Sequence, residues 1–320
     1  MNTVALAKRV TEGYEIDKDE AEALIDVDLD ELAACADGIR RKFCGNAFDI
    51  CSIINGKSGG CTENCKFCAQ SKQHDTGCQT HALIEADTVV ARAVDNYEKG
   101  VKRFSIVTAG RTLTDGEVTG VCASYEAVGR ACGVFKCASH GLLRYEQFVK
   151  LLAAGVKRYH CNLETSRNFF SKICSTHTYD DKITAINTAK KAGLEVCSGG
   201  IIGLGESFGD RIDMAFELRG LDIKSVPMNV LNPVKGTPFE NLPVLSYDEV
   251  IRTVAVYRFI LPDAALRMAG GRGLFRDKGE RAFKSGANAA ATGDMLTTGG
   301  ISIAADTALV RSLGYEVKLL

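Results

Sequence analysis

Apolar runs of strand length alternate with amphipathic helical patterns along most of this chain, and this alternation constrains the fold more than any other feature. Eight strand candidates follow one another: Ile50–Ile54, Phe104–Thr108, Val134–Ser139, Arg158–Glu164, Glu195–Ile202, Ser225–Leu231, Ala265–Ala269 and Ala287–Thr292. The helical stretches between them are Thr88–Lys99, Glu117–Ala131, Tyr145–Ala154, Asp180–Ala192, Asp210–Arg219 and Tyr247–Phe259. Eight strand–helix units are the count of a (β/α)8 barrel, so we predict an α/β fold of this TIM type.

The segment ahead of the first strand candidate has a different character. Residues 15–43 are acidic and have the apolar spacing of an amphipathic helix. No Pro- or Ser-rich linker, charge block or internal repeat interrupts the rest of the chain. We therefore predict one domain over residues 1–320, with residues 1–43 as an N-terminal helical extension.

Composition excludes several classes of function. The chain has 320 residues and a formal net charge of −1, which argues against a nucleic-acid or anionic-membrane surface. No apolar run approaches the roughly 18 residues that span a bilayer, and the N-terminus lacks the apolar core of a signal peptide. Thirteen cysteines fit a reducing compartment, where thiols stay free to pack or to bind metal. We predict a cytoplasmic protein with no nucleic-acid and no membrane partner.

The motif that most strongly predicts a metal site consists of Cys61, Cys65 and Cys68. Gaps of three and two residues place three thiolates on one loop, and thiolates are soft ligands suited to iron–sulfur clusters and zinc. A four-iron cluster normally takes four Cys, but the next one along the chain is Cys78. Three ligands leave one iron open, and the spacing resembles the signature of radical S-adenosylmethionine enzymes, whose open iron chelates the cofactor. A zinc knuckle and buried free thiols are the alternatives. Because the loop directly follows the first strand, it would lie at the carboxyl end of the barrel, where such barrels carry their chemistry.

Two later strands carry features that a ligand would use. In the fourth strand His160, Asn162 and Glu164 share one face by alternation, and polar groups there are costly without a partner. The same alternation turns Cys161 outward, against the helices. Glycines in the fifth strand would let a cofactor approach backbone amides, which makes Gly200 and Ile201 candidates for cofactor binding.

Further thiols lie inside strands rather than in loops. Cys137 and Cys197 belong to the third and fifth strands, Cys51 belongs to the first, and Cys44 comes shortly before it. Inward thiols at one depth indicate a second metal centre inside the barrel; the alternative is that each is a buried hydrophobic side chain. Arg267 in the seventh strand requires a carboxylate, a sulfide or a cluster as partner, or else forms a structural salt bridge.

Two single residues complete the candidates. Asn229 in the sixth strand offers both a donor and an acceptor, the pair that an amide-like or urea-like substrate needs. Phe67, just before the last cysteine of the loop, either contacts an adenine ring or packs within the loop.

Over nearly its whole length the chain resembles the biotin synthase family. The stretches that carry the resemblance are Cys61–Gln70, Asn162–Ser166, Val196–Glu206, Ser225–Pro238 and Arg267–Arg272. The resemblance implies a (β/α)8 barrel, often a homodimer, that inserts sulfur between two unactivated carbons of dethiobiotin through two adenosyl-radical hydrogen abstractions. It also implies a 4Fe-4S cluster, S-adenosylmethionine, an auxiliary iron–sulfur cluster that donates the sulfur, and an electron donor of the flavodoxin or ferredoxin type.

Matching residue by residue, the resemblance assigns roles to the candidates. Cys61, Cys65 and Cys68 would hold the 4Fe-4S cluster. Asn162 and Glu164 fall where the family contacts the ribose and the substrate, and Asn229 where it contacts the ureido ring. Cys137, Cys197 and Arg267 fall on ligands of the auxiliary cluster.

The second strand departs from the family pattern, which has a third auxiliary cysteine where this chain has Ser105. His160 and Glu164 also replace the more usual Asn and Asp. Cys51 would supply the missing thiolate, and Cys44 another. The resemblance extends to a variant, associated with anaerobes, whose auxiliary cluster is larger than 2Fe-2S and carries an extra sulfide, as in a 4Fe-5S cluster. We expect this variant cluster rather than a degenerate two-iron site.

Two other functions compete with this interpretation. A related radical enzyme, such as a hydrogenase maturase or a methylornithine synthase, would share the barrel and the first cluster, but Asn229 and the inner thiols favour biotin synthase. An iron or zinc storage or sensor protein would explain the cysteines but not the polar faces of the fourth and sixth strands.

Overall fold

Eight parallel strand positions close into a barrel in the computed structural model, which describes residues 1–320. The strands are β1 Ala47–Lys57, β2 Arg103–Thr108, β3 Phe135–Ser139, β4 Arg158–His160, β5 Glu195–Cys197, β6 Gly200–Ile202, β7 Ser225–Val230, β8 Ala265–Met268, β9 Ala289–Thr292 and β10 Glu316–Val317. β5 and β6 share one position, because both pair with β7. β9 pairs with β1 and closes the ring, and β10 pairs with the first residues of β1. The predicted (β/α)8 barrel is confirmed.

Twelve α-helices surround the strands or precede them. They are α1 Thr3–Thr11, α2 Lys18–Ala23, α3 Leu29–Cys44, α4 Ala86–Glu98, α5 Asp115–Ala131, α6 Tyr145–Ala153, α7 Arg167–Ile173, α8 Tyr179–Lys191, α9 Phe208–Gly220, α10 Tyr247–Ile260, α11 Glu280–Phe283 and α12 Ile303–Ser312. Thr114, Thr178 and Ser207 begin α5, α8 and α9 with reciprocal capping boxes, which fix where these helices start after their strands. None of the helices is both long and apolar enough to cross a bilayer.

The N-terminal extension is not one helix, and its first helix lies before the amphipathic pattern of residues 15–43. It consists of α1, α2 and α3, because Asp17 and Asp28 cap new helices within residues 15–43. Arg219 of α9 donates to the carbonyl of Ile16 at 2.8 Å, and Arg252 of α10 donates to that of Val27 at 2.6 Å. The extension is therefore fastened to two helices of the barrel.

Alternation along the strands divides the side chains between the barrel interior and the helices. Outward residues such as Phe104 and Tyr159 are fully buried in the apolar layer under the helices, where Tyr159 packs edge-on against Phe148 at 4.7 Å between ring centroids. Cys161 belongs to the same layer, as its outward parity predicted. The inward residues are smaller or polar, and they leave a space inside the barrel.

Two strands differ most from the predicted ranges. β4 ends at His160 rather than Glu164, and Glu164 has a left-handed backbone with φ 72°, which no continuing strand allows. The run from Glu195 to Ile202 divides into β5 and β6, because the Gly199 carbonyl accepts from the amides of both Leu163 and Glu164, at 2.9 and 3.1 Å.

The amino-terminal end of the barrel is closed by charged groups and the last residue. Asp49 of β1 is fully buried, and the Nε of Arg103 donates to it at 2.9 Å. Arg103 and Arg158 both donate to the oxygen of Leu320, at 2.9 and 3.0 Å. These contacts form the floor of the barrel.

Candidate active site

A cavity of about 420 Å³ fills the barrel between this floor and the loops at the carboxyl ends of the strands. Most of the predicted site residues line it: Cys51, Phe67, Cys68, Cys137, Asn162, Glu164, Cys197, Ile201, Asn229 and Arg267. His160 and Ser105 line it as well. A concave, partly apolar pocket with a few converging polar groups is the form that small-molecule sites take. The structure therefore brings together residues from seven strand positions and the three-cysteine loop.

The three-cysteine loop is folded back on itself above this cavity. The amide of Cys61 donates to the carbonyl of Gln70 at 3.0 Å, and the amide of Lys72 donates to the Cys61 carbonyl at 2.8 Å. The amide of Cys68 donates to the Cys65 carbonyl at 2.9 Å, which forms a tight turn between the last two cysteines. Burial raises the pKa of Cys68 to about 11, and the thiol of Cys61 adds to that rise. All three thiols are half-buried, and only Cys68 lines the cavity.

Cys65 faces a pair of residues that the sequence analysis missed. Its Sγ lies 3.7 Å from the Sγ of Cys174, which in turn lies 3.3 Å from Nδ1 of His177. The hydrogen bond from Cys65 lowers the pKa of Cys174 well below that of an ordinary thiol and raises the pKa of Cys65. The Cys174-x-x-His177 spacing was the available signal, but the partner is 109 positions away in the chain.

Glu164 combines a strained backbone with a place in the cavity wall. A left-handed conformation costs a non-glycine residue roughly 1–3 kcal/mol, and such residues concentrate at functional sites. Its carboxylate accepts from the Asn162 amide at 3.3 Å and lies 4.0 Å from the ammonium group of Lys182. Asn162 also accepts from the amide of Gly199 at 3.1 Å, so its side chain fixes the turn that follows β4.

The glycines of the fifth strand allow close packing of the neighbouring backbone. A Cβ on Gly199 would lie 2.0 Å from the carbonyl oxygen of Pro227, and one on Gly200 would lie 2.4 Å from that of Glu164. Protein atoms already occupy the space that these glycines leave open. Ile201 lines the cavity, but Gly200 does not.

Three of the four thiols predicted for the second metal centre line the cavity, namely Cys51, Cys137 and Cys197. The charge on Cys197 raises the pKa of Cys51, and the charges on Cys51 and Cys197 raise the pKa of Cys137. Burial raises the pKa of Cys137 to about 12. Burial also acts against Cys197, but His160, Arg267 and Arg158 outweigh it and lower the pKa of Cys197 to about 6.

Cys44 does not join them, and the expectation that it would is wrong. It is the last residue of α3 and lies before β1, outside the barrel. Its thiol is 3.9 Å from the carbonyl of Asp263 and 3.8 Å from the guanidinium of Arg258. The end of the helix turns this side chain toward the outer face of the barrel.

Three arginines stand around the inner thiols, and sequence analysis recognised only Arg267. Arg267 donates to the backbone carbonyls of Asp49 and Ala290 and lies 3.2 Å from the Asp49 carboxylate, so it does form a salt bridge. Arg103 pairs with Asp49 and Arg158 with Glu195. Arg103 and Arg158 nevertheless each keep one buried nitrogen without a hydrogen bond, and the buried Ser105 hydroxyl has none either.

These unpaired donors favour an anionic occupant with several acceptors. Leaving a buried donor unpaired costs roughly 1–3 kcal/mol. Sulfides and thiolates of an iron–sulfur cluster would accept from all of them, and three thiols supply the ligands. The residues present therefore suit such a group.

Asn229 is less free than its sequence suggested. Its Nδ2 donates to the Gly200 carbonyl at 3.0 Å, and its Oδ1 accepts from the Gly270 amide at 2.9 Å. An amide side chain has two N–H groups and two lone pairs, so one donor and one acceptor remain for the cavity. Asn229 thus ties β6 to the end of β8 as well as lining the site.

Comparison with protein families agrees with this arrangement. Residues 57–218 match the model of the radical SAM superfamily, and residues 227–316 match the biotin and thiamin synthesis associated domain. The match to the first covers the three-cysteine loop and β2 to β6. Barrel, loop and match together place the chain in the radical S-adenosylmethionine class.

Relatives with about half of their residues identical identify the family within this class. The chain is 54% identical to the biotin synthase of Clostridium botulinum (strain Hall) over 316 residues, which covers 99% of each chain. It is 54% identical to that of Brachyspira hyodysenteriae, covering 98% of this chain and 94% of the relative, and 50% identical to that of Akkermansia muciniphila, covering 99% of each. The chain belongs to the biotin synthase family.

Solved structures of other radical enzymes share the fold. The chain superposes on methylornithine synthase with a TM-score of 0.84 at 18% identity, covering 98% of this chain and 97% of that one. A maturase of the iron–iron hydrogenase gives 0.81 at 18% identity, covering 98% of this chain and 74% of the other. At this identity the likeness supports the barrel alone.

Proposed function

We propose that this chain converts dethiobiotin to biotin, using S-adenosylmethionine and two iron–sulfur clusters. The observation that carries the proposal is the depth of one cavity, which has the three-cysteine loop at its mouth and three thiols with three arginines at its base. Family membership supports the same reaction. Residues 1–320 would act as one domain, with residues 1–43 as its helical extension.

The upper site would be built by Cys61, Cys65 and Cys68. These thiolates would hold a 4Fe-4S cluster, which when bound supplies the electron that cleaves S-adenosylmethionine. Phe67 and Ile201 line the space beside this loop, and Asn162 and Glu164 offer acceptors to ribose hydroxyls. Gly200, next to Ile201 in β6, would offer its backbone to the cofactor.

The lower site would be built by Cys51, Cys137, Cys197 and Arg267. These residues would hold the auxiliary cluster, the source of the inserted sulfur. Of the two forms, the larger one with an extra sulfide agrees with the unpaired donors of Arg103, Arg158 and Ser105, because a further acceptor would satisfy them. Burial on all sides would keep water from this part of the cavity.

Asn229 and Asn162 would position the substrate between the two sites. Each amide is held by backbone hydrogen bonds and therefore presents its remaining donor and acceptor in a fixed direction. A urea-type ring needs an acceptor for its N–H groups and a donor for its carbonyl, which one such amide provides.

Other features of the proposal rest on family membership. These are an electron donor of the flavodoxin or ferredoxin type and assembly as a homodimer. A cytoplasmic location is supported by thirteen unpaired cysteines, which a reducing compartment keeps as thiols.

Anaerobically purified protein provides the test. Reduced protein should release 5′-deoxyadenosine from S-adenosylmethionine and form biotin from dethiobiotin. Cys65→Ala should abolish both, whereas Cys137→Ala should keep the cleavage and lose biotin together with part of the iron. Cys161→Ala, a buried thiol outside the site, is the matched control and should keep both activities. Cleavage that survives in Cys65→Ala would contradict the assignment of the loop.

A further inference from the structure

A second group of metal-binding side chains lies beside the three-cysteine loop. Ligand atoms of Cys65, Cys174 and His177 all lie within 4.8 Å of one another. Cys174 and His177 are buried, and Cys65 is half-buried. We propose that these three residues bind one divalent ion, zinc or ferrous iron, when the first cluster is absent.

The distances match a tetrahedral ion. Zinc–sulfur bonds are about 2.3 Å, so two sulfurs on one tetrahedral zinc lie about 3.8 Å apart. The two Sγ atoms here are 3.7 Å apart. With a zinc–nitrogen bond of about 2.0 Å the sulfur–nitrogen separation is about 3.5 Å, and Cys174 Sγ lies 3.9 Å from Nε2 of His177, the ring nitrogen that Glu63 leaves free. Two thiolates and an imidazole form a standard ligand set for zinc, with a fourth position open to water.

Glu63 orients the histidine as the outer carboxylate of a metal site does. Its Oε2 lies 2.5 Å from His177 Nδ1 and accepts from the Thr176 hydroxyl at 2.8 Å. A carboxylate on one ring nitrogen fixes the tautomer and leaves the other nitrogen with its lone pair free for a metal. Glu63 is buried, so water competes little for this hydrogen bond.

The two loops that supply the ligands are already joined. The side chain of Asn64 donates to the Ser175 hydroxyl at 2.7 Å and accepts from the Ser175 amide at 3.0 Å. The amide of Lys66 donates to the carbonyl of Ile173 at 2.9 Å. Because these bonds hold the loops together, an ion would meet a preformed site and pay little ordering entropy.

One consequence depends on the proposed function. If Cys65 is a ligand of the first cluster, the same thiolate cannot serve the single ion and the cluster together. A bound zinc ion would therefore keep the first cluster from assembling, whereas the inner thiols would stay accessible to iron.

Cobalt binding to cluster-free protein tests the site without any enzymatic readout. We expect one Co²⁺ per chain with thiolate-to-cobalt absorption, and at least a tenfold loss of affinity in Cys174→Ser and in His177→Gln. Cys61→Ser is the matched control, since it changes a thiol of the same loop outside the proposed set, and its affinity should stay within twofold. If Cys61→Ser weakens binding as much as Cys174→Ser does, the ion sits on the three-cysteine loop and the proposal is overturned.

X-ray absorption of the zinc-loaded wild type keeps the test independent of how the variants fold. Two sulfur and one or two nitrogen or oxygen neighbours support the site, and three sulfur neighbours overturn it. Reconstitution then tests the consequence: prior zinc should lower iron uptake in wild type but not in Cys174→Ser. Full iron uptake by zinc-loaded wild type with the cobalt site intact would overturn the exclusion and count against Cys65 as a cluster ligand, while the ion site itself would stand.

Discussion

At the scale of single residues, Cys51 and Ser105 determine the composition of the lower site. Cys51 lines the cavity on β1, whereas Ser105 lies on β2 in register with Cys137 and has a hydroxyl without a partner. A neutral hydroxyl is a poor iron ligand beside thiolates. In the proposed lower site the third thiolate would therefore come from β1, next to the strand that supplies it in the usual family pattern.

The first prediction compares these two residues. Cys51→Ala should lose the auxiliary iron and sulfide, whereas Ser105→Ala should keep them and at least one turnover of biotin. Iron and acid-labile sulfide per chain measure the outcome, and cleavage of S-adenosylmethionine in both variants is the control for the first cluster. A second cluster that survives in Cys51→Ala and is lost in Ser105→Ala would mean that β2 supplies a ligand.

The second prediction concerns Asn229. Asn229→Ala removes the donor and acceptor proposed for the urea-type ring, so dethiobiotin should bind at least tenfold more weakly, which corresponds to about 1.4 kcal/mol. The variant also loses the bonds to Gly200 and Gly270, and we expect a lower midpoint of thermal unfolding. Calorimetric titration measures the affinity, and unchanged iron content shows that both clusters remain. Substrate affinity equal to that of the wild type would rule out this contact.

At the scale of elements, the break between β5 and β6 shapes the cavity wall. The carbonyl of Gly199 accepts hydrogen bonds from two amides of the segment after β4. Because Gly199 has no side chain, Pro227 of β7 can approach it closely. The break lets Glu164, Asn162 and Ile201 face the same space, although they come from two different strand positions.

The third prediction tests that close approach. In Gly199→Ala the new methyl group would meet the Pro227 carbonyl at 2.0 Å, and backbone on both sides cannot move aside. We expect a loss of about 3 kcal/mol in the free energy of unfolding, measured in urea. Gly116→Ala in α5 is the control, because its Cβ would meet nothing within 4 Å and alanine favours a helix. If Gly199→Ala is as stable as the wild type, the backbone around Pro227 can shift to accommodate the methyl group.

Strand alternation explains how much of the site could be predicted from sequence. Because side chains of a strand point to one of two faces, Cys137 and Cys197 could be predicted inside the barrel from their place in the third and fifth strands, and both line the cavity. Alternation does not predict where a side chain at a helix end points, nor which loops that are distant in sequence come into contact. Cys44 was therefore misplaced, and the contact between Cys65 and Cys174 was not foreseen.

At the scale of the whole molecule, one buried carboxylate links several parts of the barrel. Asp49 contacts Arg103 of β2, Arg267 of β8 and the amide of Leu320, so it joins the strands on both sides of the closure to the end of the chain. Burial would raise its pKa, but Arg267 and Arg103 outweigh this and hold the pKa below the ordinary value.

The fourth prediction follows from this network. Asp49→Asn leaves two buried guanidinium groups without their counter-charge, and removing one partner of a buried pair costs about 3–5 kcal/mol. Unfolding in urea should show this loss, together with a lower yield of the auxiliary cluster. Asp180→Asn, which breaks an exposed pair with Arg167, should change stability little. If Asp49→Asn unfolds at the same urea concentration as the wild type, the network does not stabilise the barrel.

The contacts at the amino-terminal end of the barrel affect how molecules reach the cavity. Asp49, Arg103, Arg158 and Leu320 are joined by hydrogen bonds across one end, so the proposed cofactor, the substrate and any replacement iron or sulfide would enter beside the three-cysteine loop. These molecules would then pass through that opening one after another. A molecule bound near the loop would block repair of the proposed auxiliary cluster, which could be rebuilt only after biotin and the spent cofactor had left.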